Sequence, residues 1–134
     1  MSGLFLPLSK IALKAANTAL KAANSGPAAL SGYAGALSPA LTSLPVVTTN
    51  VNLILAKLPP LAIGPPNLIN ITNCNIINST VALTTTNIAS ATAQSVAAVG
   101  APSPTFPAAA ALVITNCTTL VTQIQTLLVA PQTR

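Results

Sequence analysis

Residues 108–130 read AAAALVITNCTTLVTQIQTLLVA, and this stretch decides the fold class. Val113, Cys117, Leu120, Ile124 and Leu127 follow a 4-3-4-3 spacing, with Ile114, Val121 and Leu128 beside them and Thr and Gln filling the other positions. That spacing gathers apolar side chains on one stripe of a helix, and such a stripe has to be covered by another element. The five residues of the repeat are the expected subunit-packing residues.

Working back from this helix, Ala101–Pro107 reads as a proline-rich loop. Upstream of it, Pro65 and Pro66 introduce a run with no proline or glycine before Gly100. A single helix there would be on the order of 50 Å long at 1.5 Å per residue. Its first third, NLINITNCNIINST, is rich in Asn and β-branched residues, so residues 66–80 read as helical or extended. Between Ala28 and Pro60, the prolines at 39, 45, 59 and 60 and the glycines at 32 and 35 predict only short helices, Asn50–Leu58 foremost, capped by Thr49 or Asn50. At the start, Pro7 can open a helix running to Asn24, ended by Ser25, Gly26 and Pro27.

The fold class expected is all-α: a small helical bundle or a hairpin of long helices with proline-rich connections, completed by subunit packing. One domain is expected, made of a basic N-terminal helix (1–26), a Pro/Gly-rich irregular segment (27–65) and a helical hairpin (66–134).

The chain has no Asp, Glu or His among its 134 residues. General acid–base catalysis and metal-assisted hydrolysis draw on those side chains, so neither an enzyme nor a cofactor or metal site is expected. No glycine-rich phosphate loop or nucleophile-elbow serine occurs. Acid denaturation normally proceeds by protonating paired carboxylates and charging buried histidines, and that route is closed as well. Hydrophobic residues are 51% and charged residues 4% of the chain, so an isolated copy would disperse poorly, and its surface should be covered by further copies, lipid or glycan. No run of about 20 predominantly apolar residues is evident, because polar residues interrupt 107–131. The opening MSGLFLPLSKIALK lacks the layout of a secretory signal, which points to cytosolic synthesis or an already removed leader.

Cys74 and Cys117 share the tetrapeptide Ile-Thr-Asn-Cys and read as small buried hydrophobes, with a disulfide as the alternative. Sequons at Asn70, Asn78 and Asn116 are no more than the Asn, Ser and Thr content produces by chance.

The remaining signal is at the start. Residues 12–24, ALKAANTALKAAN, duplicate a heptad, and Lys10, Lys14, Lys21, Asn17 and Asn24 fall within about 80° of arc on one side of a helix. Phe5, Leu8, Ala12, Ala16, Ala19 and Ala23 occupy the other side. Like charges at i,i+4 repel, and the chain holds no acid to relieve them, so the face suits a polyanion whose phosphates release counterions on binding. These five residues and Lys57 are the candidate nucleic-acid-binding set. Without Arg in the stripe, and with few aromatics in the chain, binding to phosphates without base reading is expected. An anionic membrane surface is the rival target.

The ALKAANTALKAAN helix, the acid-free composition and the terminal amphipathic helix together resemble the small hydrophobic major capsid proteins of archaeal viruses from hot acidic springs, the large spindle-shaped ones in particular. That resemblance implies a double-stranded DNA genome, sliding lateral contacts of nonspecific apolar packing, and a virion assembled in the host cytoplasm and released to an acidic exterior. The expected function is a virion structural protein that forms a helical shell from many copies of itself and packages DNA through the lysine stripe, with no small-molecule substrate. The alternative is a secreted self-assembling filament or adhesive protein without nucleic acid.

Overall fold

The computed structural model describes residues 2–57, 65–101 and 104–129, with side chains described from residue 6 in the first segment and from residue 70 in the second. Its long helices are α1 (Ser2–Ser25), α3 (Ser38–Lys57), α4 (Pro65–Gly100) and α5 (Thr105–Val129). A 3-10 segment (Gly26–Gly32) and the single turn α2 (Tyr33–Ala36) join α1 to α3. The all-α class and the α4–α5 hairpin follow the sequence reading.

α1 packs on α3 and α5, and α4 packs on the same two helices. Among the described residues α1 does not meet α4, nor α3 meet α5, so the four long helices stand at the corners of a square. The end of α1 lies beside the start of α3, where Lys21 and Ser25 share a groove with Ala36 and Pro39. The end of α4 lies beside the start of α5, where Ser90 and Gln94 share a groove with Thr105 and Ala108. Neighbouring helices are therefore antiparallel, in an up-down-up-down bundle.

Each long helix turns a 4-3 repeat inward. Ala12, Ala16, Ala19 and Ala23 do so on α1, and Ala40, Leu44, Val47, Val51 and Ile54 on α3. On α4 the repeat is Asn70, Cys74, Ile77, Val81, Thr84, Ile88, Ala91 and Ser95, and on α5 it runs from Phe106 to Leu127 through Val113, Leu120 and Ile124. One contiguous core results. The alanines of α1 contribute little apolar area, but they let its backbone approach α3 and α5 closely while the branched side chains of the other helices fill the interior.

Three expectations need correcting. The irregular segment expected over 27–65 contains a 20-residue helix, α3, which runs through Pro45. Pro45 removes one backbone hydrogen bond, to the carbonyl of Leu41, but it lies on the exposed side, and six buried residues hold the helix against the core. Leu58, expected to end that helix, lies outside the described residues. Pro7, expected to open the first helix, lies inside α1, which starts at Ser2; the Asn-rich start of α4, open between helical and extended, is helical from Pro65 onward, with Asn70, Cys74 and Ile77 on its inward repeat. The third correction concerns apolar runs. By length and mean hydropathy, 1.3 for α3 and 1.4 for α5, both helices reach the range of membrane-crossing segments, although only 33% of each such window is buried. In α5 the hydroxyls that seemed to break the run bond to their own helix, Thr118 Oγ1 to the Ile114 carbonyl and Thr122 Oγ1 to that of Thr118.

Candidate nucleic-acid interface

α1 is amphipathic in an unusual sense, with alanine on one side and ammonium groups on the other. Its buried positions centre about 180° from the mean direction of Lys10, Lys14 and Lys21 at 100° per residue. The row thus points directly away from the core, and all three lysines are exposed, as are Asn17 and Asn24 on the same arc. From Lys10 to Lys21 the row extends about 16 Å along the helix axis. Leu8 is half-buried against the core, as expected, whereas the side chain of Phe5 lies outside the described residues.

Lys57 joins this set from another helix. It ends α3, is exposed, and lies 18 residues, about five turns, beyond Pro39, so the two share one side of the helix. Pro39 lines a groove with Lys21 and Ala22 of α1, which places Lys57 on the edge of α3 that borders α1, at the opposite end of the bundle. Lys57 therefore borders the α1–α3 groove, while the other five candidates lie along the outward arc of α1.

Two hydroxyls on the rim of this face are absent from the sequence-derived set. Thr18 Oγ1 donates to the Lys14 carbonyl at 3.1 Å, and Ser25 Oγ donates to that of Lys21 at 3.0 Å. Both recur seven residues apart, in step with Lys14 and Lys21, which is the signal that could have found them. Their donor hydrogens are committed to the helix, leaving the lysines to meet an anion. The chain holds no carboxylate side chain that could pair with any of these ammonium groups. Chemically, the face can neutralise phosphates as a line of hydrated point charges; it has no guanidinium fork to grip a base edge.

The expected subunit-packing residues lie elsewhere. Val113, Cys117, Leu120, Ile124 and Leu127 are each 0% exposed within a single chain. They close the chain's own core and are not available to a neighbouring subunit, which corrects that assignment. Cys74 and Cys117 are both free and buried, so no bond joins the two within the chain. Burial pushes the Cys74 thiol up to about 12 and the Cys117 thiol up to about 11, away from any nucleophilic role. Asn70 and Asn116 are 1% and 8% exposed, and the Asn78 Nδ2 donates to Asn52 Oδ1 at 2.9 Å, so all three sequon asparagines are engaged in the fold.

Comparison with protein-family models, curated proteins and solved structures finds no match for this chain.

Proposed function

We propose that this protein is the major structural protein of a virion: many copies build a helical shell, and the α1 face lies against a double-stranded DNA genome. The observation that carries this reading is the outward lysine row on a bundle whose sequence has no acidic residue, so that its positive charge persists at any acidity. A solvated helix face normally mixes charge signs, whereas this one concentrates a single sign where a polyanion would release counterions. Lys10, Lys14, Lys21 and Lys57 would contact phosphates, and Asn17 and Asn24 would hydrogen-bond beside them. Assembly in a host cytoplasm followed by release to an acidic exterior agrees with the absence of side chains that titrate in acid.

The test is whether assembled particles contain nucleic acid that survives nuclease digestion. We expect protected DNA and an ultraviolet spectrum dominated by it, since the chain has no Trp and one Tyr. Filaments that form readily and hold no nucleic acid would instead identify a secreted structural polymer. Leakage from anionic vesicles at the same protein concentration would identify a membrane-active protein.

A further inference from the structure

Two heptad series face each other across the groove between α1 and α3. On α1, Ile11, Thr18 and Ser25 fall within about 40° of arc, and Thr18 and Ser25 line the groove beside Pro39. On α3, Pro39, Val46, Leu53 and Lys57 also fall within about 40°. Ile11, Val46 and Leu53 thus share the α1–α3 face, where they are 48%, 38% and 44% exposed.

Their heights follow from the antiparallel packing. Ala22 and Pro39 line the same groove, so positions along the axis can be counted from that level. At 1.5 Å per residue, Val46 lies about 10 Å away, Ile11 about 16 Å and Leu53 about 21 Å, which makes one aliphatic cluster spanning both helices. Lys14 and Lys10 stand beside it, at about 12 and 18 Å. Lys21 lies near the starting level and Lys57 at about 27 Å, one beyond each end. Every lysine of the chain therefore borders this cluster. Ile76 and Leu83 of α4 are comparably exposed but have no such company, because neither α4 nor α5 contains a charged residue.

A DNA backbone uses only half of this arrangement. It meets the ammonium groups, but it gains nothing by covering Ile11, Val46 or Leu53. A bilayer with anionic headgroups has a negative surface and hydrocarbon directly beneath it, so it complements both the charge and the aliphatic cluster. Lysine stems can lie along that boundary while their ammonium groups stay among the headgroup phosphates.

We propose that the α1–α3 face docks on an anionic lipid bilayer, with Ile11, Val46 and Leu53 in the boundary between headgroups and acyl chains and the lysines around them on the headgroups. The three side chains already face outward, so the bundle stays folded and lies on the membrane without crossing it. This goes beyond the shell function and does not depend on it. DNA and lipid draw on the same lysines, so on any one copy each excludes the other.

The experiment measures cosedimentation of the full chain with vesicles of phosphatidylcholine alone and of equimolar phosphatidylcholine and phosphatidylglycerol, alongside DNA binding by the same preparations. The variant Ile11→Ala/Val46→Ala/Leu53→Ala removes the aliphatic cluster and keeps every lysine, with Leu53→Ala alone as a milder form. Ile76→Ala/Leu83→Ala removes an equally exposed pair from α4. Alanine is the best helix former and all five positions are exposed, so circular dichroism should show unchanged helix content.

We expect the wild-type chain to bind the anionic vesicles and not phosphatidylcholine alone, to give up bound DNA to them, and to release no entrapped dye. The triple variant should bind anionic vesicles roughly tenfold more weakly, with DNA affinity and salt slope unchanged, and the α4 variant should match wild type. Undiminished vesicle binding by the triple variant, or an equal loss in the α4 variant, would overturn the proposal. So would a failure to bind anionic vesicles, or dye release, which would show helices inserting. The two functions separate in the same samples: vesicle binding without DNA binding leaves the lipid face standing and removes genome packaging, and DNA binding without vesicle binding does the reverse.

Discussion

Tyr33 and Phe106 meet edge to face, their ring centroids 5.0 Å apart and their planes at 89°. This contact ties the α1–α3 connection to the start of α5 and closes the end of the bundle where α4 also stops. Gly26 packs beneath it so tightly that a β-carbon there would lie 2.6 Å from both Tyr33 Cε1 and Leu37 Cδ2.

Phe106→Ala should therefore cost about 3–5 kcal/mol, read as a drop in Tm or in the denaturant midpoint. Gly26→Ala should cost about 1–3 kcal/mol through overpacking of the same end. Tyr33→Phe should retain wild-type stability or exceed it, because the buried hydroxyl makes no hydrogen bond among the described residues. A loss for Tyr33→Phe comparable to that for Phe106→Ala would show that the hydroxyl, not the ring, holds the junction.

The pH dependence of folding should be one-sided. No Asp, Glu or His is present, so no side chain titrates between strong acid and about pH 8, and stability should be flat there. At the alkaline end, burial raises the thiols of Cys74 and Cys117 from 9.0 to about 12 and about 11, and burial followed by the nearby Cys117 raises Tyr33. A raised folded value means that the unfolded chain releases its proton first as pH increases. The stabilisation is thus complete below about pH 9 and is lost as pH climbs toward 11–12. Denaturant midpoints measured from pH 2 to 11 check this, and a fall on the acid side would contradict it.

The alanine face of α1 predicts a size limit. Ala16 and Ala19 are both 0% exposed where α1 meets the bundle, so replacing either with Leu forces helices apart at a cost of about 1–3 kcal/mol. Thermal unfolding of Ala16→Leu and Ala19→Leu should show a lower Tm. An unchanged Tm would mean that α1 docks loosely and that its lysine row is not fixed in direction.

Much of this fold is legible in the sequence where chemistry and position coincide. α5 places large apolar residues at Val113, Leu120 and Ile124, so its stripe reads directly, and the lysine arc of α1 reads equally well. α4 hides its repeat. Asn70, Thr84 and Ser95 occupy inward positions while Ile76, Leu83 and Val96 face out, so polarity and burial part company along the helix. Thr84 and Ser95 are tolerated inside because their hydroxyls bond to the carbonyls of Thr80 and Thr92. α3 was obscured by Pro45, whose penalty is outweighed by tertiary packing along the other side of the helix. The assignment of Val113 and its partners to subunit contacts failed for a different reason: an apolar stripe records that it must be covered, and nothing in it says whether by its own chain or another.

The central claim is that the α1 row meets phosphates, and the salt dependence of DNA binding tests it most directly. For the full chain carrying Lys10→Gln, Lys14→Gln and Lys21→Gln, the slope of log K against log salt should become shallower by roughly 2–3, at about 0.9 per phosphate contact removed. Helix content should be unchanged, because all three side chains point away from the core. A slope equal to that of the wild type, with the fold intact, would contradict a DNA-facing lysine row.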